Sequence, residues 1–276
     1  MCGMTMTQPN AAPQGLIGRE AEARCLREAL RKRQSTLIWG PADAGKSFLL
    51  AEVLASLPKN DRRKCICWSG PASRRRLAEH LIGALYAAGD EFVHAKAQRD
   101  GFTGAMPSRW IGKQSAARLR GILLSALERT RYWIFLDHLP PLSSALAELM
   151  KEIIHRTKTP VCLLSHGYSP AEIGSAWSLY WTDEYRIRLG PLGDDAANRL
   201  IELCIRRFGL GSLDRDGFRE DVLKFSGNLP GSIVKMCQLA ADPRYHYGDQ
   251  VKVRLLHVDY LLRTHQLPAP AGSRHD

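Results

Sequence analysis

The run Gly40-Pro41-Ala42-Asp43-Ala44-Gly45-Lys46-Ser47 follows the apolar stretch Thr36-Leu37-Ile38-Trp39 and precedes Phe48-Leu49-Leu50-Ala51-Glu52-Val53-Leu54. It fits the pattern G-x-x-x-x-G-K-[ST] in full, and the strand, loop and helix occur in the order the pattern requires. In such a loop, backbone N–H groups wrap a phosphate, the second glycine allows close approach, and the lysine reaches the β and γ oxygens. Those roles fall to Gly45 and Lys46, while Ser47 is placed to hold Mg²⁺ and Gly40, Pro41, Ala42, Asp43 and Ala44 complete the cradle. The N-terminal dipole of the following helix adds to the anion site. The chain is therefore expected to bind a nucleoside triphosphate.

A length of 276 residues with 45% hydrophobic content is enough for one large α/β domain, or one plus a small appendage, and excludes a disordered chain. No apolar run approaches the roughly 18 residues that span a bilayer, and the start Met1-Cys2-Gly3-Met4-Thr5-Met6 lacks the apolar stretch of a signal peptide. A cytoplasmic protein without a membrane partner is expected. The 7 cysteines are odd in number and mostly lie in apolar segments, which favours reduced thiols over a disulfide frame. Cys65 and Cys67 are too close for the usual zinc pair, and strand alternation puts both on one face, so no metal beyond Mg²⁺ is expected.

The formal charge of +11 favours polyanionic partners without bearing on the fold. Arg62, Arg63 and Lys64 precede a strand, Arg74-Arg75-Arg76 opens a helix, and Arg118, Arg120, Arg129 and Arg131 border another. Three arginines in a first helical turn oppose the helix dipole, so local stability does not explain them. A solvated face, a nucleic-acid contact and an acidic protein partner all remain open.

Residues 1–14 and 266–276 are polar and proline-bearing, as flexible tails are. Arg19 to Arg33 has helical periodicity, with Ala23, Leu26, Ala29 and Leu30 on one face. Strand candidates then recur at Thr36–Trp39, Cys65–Ser69, Trp133–Asp137, Val161–Ser165 and Tyr185–Leu189, separated by helical patterns near 48–57, 73–88, 115–130 and 143–156. This alternation predicts an α/β fold with a central parallel sheet of about five strands flanked by helices, over residues 15–190. From Pro191 only helices are expected, at Asp194–Phe208, Asp214–Phe225, Pro230–Ala241 and Lys252–Thr264, making a small helical domain over 191–265. Glu91 to Gln114, rich in glycine, reads as an excursion or loop.

A triphosphate site needs a second anchor for Mg²⁺, normally a carboxylate ending a strand beside the phosphate-loop strand. Trp133-Ile134-Phe135-Leu136-Asp137 supplies Asp137. The next residue is His138, where a second carboxylate would be expected. It serves either as a neutral imidazole base or as a strand-end residue beside which hydrolysis is slow. Ser165, ending the strand Val161-Cys162-Leu163-Leu164, either orients water and senses the γ-phosphate or makes a local turn hydrogen bond; His166 is a weaker candidate.

Leu16-Ile17-Gly18-Arg19-Glu20-Ala21-Glu22 resembles the G-R-E box of AAA+ ATPases near the origin-recognition and STAND groups. Arg186-Ile187-Arg188-Leu189-Gly190-Pro191-Leu192-Gly193-Asp194 resembles their strand-to-lid junction, and Ser226-Gly227-Asn228-Leu229-Pro230-Gly231-Ser232 their lid motif. The resemblance covers roughly 15–240 and implies a P-loop ATPase with a helical lid that hydrolyses ATP with Mg²⁺ and acts as a nucleotide-dependent switch. It implies that Gly18 and Arg19 border the base, that Ser165 is a sensor, that Asp137 and His138 stand at the catalytic positions, and that Pro230 lies in the turn closing the lid. Two departures limit it: His138 replaces the catalytic glutamate, and the lid arginine is absent, with Lys235 one turn later as a partial substitute. Arg186 and Arg188 are candidates for an arginine offered to a neighbouring subunit. The partner is expected to be another protein or a second copy of the chain. The alternative is a nucleic-acid-associated ATPase, a loader or transposition regulator, contacting DNA through its basic helices.

Overall fold

The computed structural model describes residues 15–70, 73–137, 142–180, 183–211 and 214–264. His138 and both expected tails lie outside the described residues. The chain divides into two compact units. The first contains Arg19–Ala42 and Lys46–Leu189; the second contains Asp43–Gly45 and the chain from Gly190 onward, with residues 15–18.

In the first unit, α1 (Glu20–Arg31) leads to β1 (Thr36–Gly40), and α2 (Lys46–Ser56) with the short α3 (Lys59–Arg62) precedes β2 (Cys65–Ser69). Next come α4 (Arg74–Ala87), α5 (Glu91–Arg99), α6 (Ser108–Gly112) and α7 (Ala116–Leu127), then β3 (Trp133–Asp137) and α8 (Ser144–Lys151). The unit closes with β4 (Val161–His166), α9 (Pro170–Ile173) and β5 (Arg186–Arg188). The sheet order is β2-β3-β4-β1-β5, all parallel. Parallel strands covered on both faces need continuous apolar runs, and all of β1 and residues 134–137 of β3 are buried. α1 buries Ala23, Leu26, Ala29 and Leu30, with acids in its first turn and Arg31 in its last, as the dipole favours. Ser73, Asp90, Ser115 and Ser143 accept N–H bonds that fix the starts of α4, α5, α7 and α8.

Three details depart from the sequence reading. Glu91 to Gln114 is not a loop but holds α5 and α6, anchored by buried Trp110 and Ile111. The Trp110 indole N–H donates to the Asp100 carboxylate at 2.8 Å, a bond between α6 and the end of α5 that glycine content cannot reveal. The helix expected over 143–156 widens after Lys151 into a π-helical turn, Glu152–Arg156. β3 does not lie beside β1, because β4 is inserted between them.

In the second unit, α10 (Asp194–Phe208), α11 (Arg215–Ser226) and α12 (Pro230–Ala240) are followed by α13 (Val253–Thr264). They enclose Ile201, Val222, Ile233, Met236 and Leu256. Gly209 and Gly227 end α10 and α11 in the left-handed region, at φ 69° and 55°, where glycine has no Cβ penalty. This region is not purely helical: β6 (His246–Tyr247) and β7 (Gln250–Val251) form an antiparallel hairpin. Its strands are too short to show alternation, and Gly248-Asp249 is the sole local cue.

Replacing Trp110 by Ala should cost about 3–5 kcal/mol, since it opens a core cavity and strips Asp100 of a donor. Urea unfolding of the two proteins measures it, and a loss under ~1 kcal/mol would show that the α5–α6 segment is not part of the core.

Candidate functional site

The phosphate loop hangs between β1 and α2, and its first glycine is imposed by packing. Gly40 has φ 151°, and a Cβ there would lie 2.0 Å from the Leu189 carbonyl oxygen. Leu189 N–H in turn donates to the Trp39 carbonyl at 2.7 Å, so the chain leaving β5 is stitched to β1 at this point. The Gly40 carbonyl accepts the Gly167 N–H at 3.2 Å from the turn after β4. Lys46 is buried at 4% exposure, and its ammonium donates to the carbonyls of Gly40 at 2.9 Å and Pro41 at 2.6 Å. A buried cation needs such acceptors, and the loop bends its own carbonyls to supply them. Pro41 and Ala44 are buried, Gly45 and Ser47 half-buried, and Ala42 exposed.

β4 brings Ser165 opposite Trp39 and His166 opposite Gly40. On its other side Leu163 pairs with Leu136, and Ser69 of β2 pairs with Asp137. The expectation that Asp137 ends the strand beside the phosphate-loop strand is therefore corrected: Ser165 occupies the adjacent strand, and Asp137 lies one strand further along the same edge. Asp137 is 9% exposed, and its carbonyl accepts the Gly70 N–H at 3.1 Å. Burial, followed by the nearby Asp137 charge, pushes the Cys162 thiol up, keeping it neutral. Arg186 donates to the carbonyls of Trp177 and Tyr180 and stacks over the Trp177 ring, while Arg188 lies over Trp39.

Residues 15–164 match the model of the AAA ATPase domain. The chain belongs to the AAA ATPase domain family. A Walker-type ATPase of Pyrococcus abyssi is similar in structure, with a TM-score of 0.57 and 19% identity, covering 93% of this chain and 76% of that one. At that identity the likeness speaks for the fold, and it bears out the parallel five-stranded sheet with a helical C-terminal region. Pif1 helicase from Candida albicans is also found, at a TM-score of 0.35 and 13% identity over 75% of this chain and 47% of that one, too low to carry an argument. No curated protein matches.

The second unit of this AAA ATPase takes in the loop tip Asp43–Gly45. Asp43, itself in the left-handed region at φ 60°, accepts from Lys235 at 2.8 Å and from the Tyr260 hydroxyl at 2.7 Å, with Ser232 at 3.4 Å. The Gly231 N–H donates to the Asp43 carbonyl at 2.8 Å, and a Cβ on Gly231 would meet Asp43 at the same distance. Pro230 lies against Gly45. Burial opposes ionisation of Asp43, but the bonds from Lys235, Tyr260 and Ser232 outweigh it and hold the carboxyl below its usual range. Burial pushes the Tyr260 phenol up to about 12, so it remains a donor. Sequence alone offers Lys235 as a stand-in for a missing arginine and gives no sign of its pairing with Asp43. Tyr260 escapes sequence reasoning altogether, because on a helix it reads as an ordinary half-buried aromatic. Gly18, at φ 65°, packs against Ala196 with no space for a Cβ, and Arg19 is buried and paired with Glu22 at 3.1 Å.

Two outcomes are expected. Gly40→Ala should prevent the native β1–β5 closure, seen as a loss of soluble folded protein; a normally folded variant would free this glycine for a purely ligand-related role. Asp43 has a folded pKa below its unfolded one, so its contribution to stability is present above about pH 4 and is lost as pH falls through the folded value. Asp43→Asn should therefore flatten the acid limb of the stability–pH curve, and a limb identical to the parent's would remove Asp43 from that account.

Proposed function

We propose that this AAA ATPase is an ATP-dependent switch of the cytoplasm, close to the origin-recognition and STAND groups, that hydrolyses ATP slowly or conditionally. The observation that carries the reading is the buried Lys46 ammonium, held at the Gly40 and Pro41 carbonyls within a complete phosphate-loop sequence. Neutral carbonyls are weaker acceptors than phosphate oxygens, so Lys46 would exchange them for the β and γ oxygens of ATP. Residues 40–47 would cradle the phosphates, Gly18 and Arg19 would border the base, and Pro230 would lie in the turn closing the lid. The Ser47 hydroxyl at the start of α2 and the buried Asp137 carboxylate at the end of β3 are hard oxygen donors of the kind Mg²⁺ takes, and would hold it. Bound there, Mg²⁺ would neutralise charge developing on the phosphates.

In this reading residues 15–190 are the ATPase core and 191–265 its lid. Asp43 links the loop to the switch: a rearrangement of the loop around phosphate would be felt by Lys235 on α12 and Tyr260 on α13 through a direct bond. Ser165 would orient water or sense the γ-phosphate, and His138, in place of a glutamate, would set the rate of hydrolysis. A protein partner or a second copy would read the lid. The basic helices favour the nucleic-acid alternative less than their sequence suggests. Arg75 pairs with Glu79, Arg118 with Asp100 and Arg120 with Glu152, and Ser73 caps α4 despite its arginines.

Lys46→Ala should abolish ATP binding measured by calorimetry with Mg²⁺; undiminished affinity would place the nucleotide elsewhere. In a steady-state assay the parent should turn over slowly. If His138 activates water, His138→Ala should lower turnover about 10²-fold without weakening binding, and the parent's rate should fall as the imidazole protonates. If it merely replaces the carboxylate, His138→Glu should raise turnover. Fast hydrolysis unchanged in both variants would end the proposal that this position sets the lifetime of the ATP state.

A further inference from the structure

The edge of the sheet opposite the phosphate loop, where the parallel strands begin, carries a feature that ATP binding does not use. Each of the four adjacent strands β2, β3, β4 and β1 is entered from a basic segment, ending in Lys64, Arg131, Lys158 and Arg33. The four segments are bonded to one another as one rim. Trp133 N–H donates to the Lys64 carbonyl at 2.9 Å, and the Arg33 guanidinium donates to the carbonyls of Arg131 and Tyr132 at 3.3 Å. Ile134 N–H donates to Pro160 at 3.1 Å and Val161 N–H to the Ser35 hydroxyl at 3.1 Å. At the usual strand spacing the rim is about 14 Å across.

Local stability accounts for only part of this charge. Helices run back against the strands, so their C-termini lie at this edge and favour a cation in the last turn. Arg31 and Lys32 meet that need and are paired with Glu28, at 2.7 Å and 3.4 Å, with Glu184 also 3.9 Å from Lys32. Arg156 is likewise paired with Glu128 at 2.9 Å. Arg63, Lys64, Arg131 and Lys158 are exposed and have neither an ion pair nor a side-chain hydrogen bond among the described residues. Two of the rim cations stand where backbone geometry favours glycine: Arg33 at φ 54° and Lys158 at φ 56°, each just past the end of a helical segment. Arg33 lies over the Trp133 ring at 4.8 Å, and burial, followed by the nearby Arg131 charge, pushes its guanidinium down. Lys158 makes no side-chain bond among the described residues that would offset its strain within the fold.

The geometry points to this rim as a docking surface for the phosphodiester backbone of a nucleic acid. A row of cations that pair with no carboxylate among the described residues, on rigid strand entries and about as long as four base steps along a duplex, matches a line of phosphates better than it matches a single acidic side chain. Binding here would be independent of sequence and would not require nucleotide at the phosphate loop, so it stands or falls separately from the ATP switch.

The test is fluorescence anisotropy of labelled duplex DNA, single-stranded DNA and RNA against the full chain without nucleotide, over a salt series. The variant Arg63→Glu/Lys64→Glu/Arg131→Glu/Lys158→Glu should bind at least 10-fold more weakly at low salt. Its slope of log affinity against log salt should also be shallower, by about 0.9 for each duplex phosphate that it no longer neutralises. Arg74→Glu/Arg76→Glu, on α4, should bind as the parent does. Lys158→Gly, which relieves the left-handed backbone, guards against misfolding: it should bind more weakly with a melting temperature no lower than the parent's. Which of the three nucleic acids binds best identifies the source of the phosphates. The proposal is overturned if the parent binds none of them, if the reversed variant binds equally well, or if the loss is confined to the α4 variant. Equal affinity for poly-glutamate at the same salt would overturn it in favour of an acidic protein.

Discussion

The end of β1 is the point on which the rest of the first unit depends. At Gly40 the Leu189 carbonyl comes to 2.0 Å from where a Cβ would sit, and the Gly40 carbonyl accepts both the Lys46 ammonium and the Gly167 N–H. One residue thus joins β1 to the chain after β5, to the turn after β4 and to the first residue of α2. The loop is shaped by these bonds before any ligand is considered. Its lysine is already buried and directed at the loop's own acceptors, which limits the reorganisation that phosphate binding requires.

A parallel sheet sorts charge between its two edges. Helix N-termini collect where strands end and carry partial positive charge; helix C-termini collect where strands begin and carry partial negative charge. The phosphate loop, Asp137, Ser165 and His166 occupy the first edge, and the basic rim of Lys64, Arg131, Lys158 and Arg33 the second. The same topology that creates an anion site at one end therefore makes cations inexpensive to place at the other. Their number beyond the carboxylates Glu28, Glu128 and Glu184 is what the dipoles leave unexplained.

Most strands and helices are legible in the sequence because each is long enough to show its period and is bounded by a cap or a glycine. The face Ala23, Leu26, Ala29 and Leu30 of α1 and the bounds of α10 follow from pattern alone. Failures fall where pattern is short or partners are distant. α5 and α6 are held by Trp110 and its bond to Asp100, and the β6–β7 hairpin has only two residues per strand. The arginines of α4 and α7 look uncompensated in the sequence because their carboxylates, Glu79 excepted, come from other segments.

The sequence by itself determined the phosphate loop, the α/β alternation and the helical C-terminal region, since these rest on local spacing and on hydrophobic periodicity. Tertiary structure decided the strand order, and with it that the strand adjacent to the phosphate-loop strand carries Ser165 rather than Asp137. It also decided that Asp43, a variable position of the loop pattern, is bonded to Lys235 and Tyr260, 192 and 217 positions along the chain, and that four separate basic segments form one rim. The reason is the same in each case: hydrogen bonds and charge pairs act over a few ångströms of space, and only the folded sheet and helix bundle set which distant residues come that close.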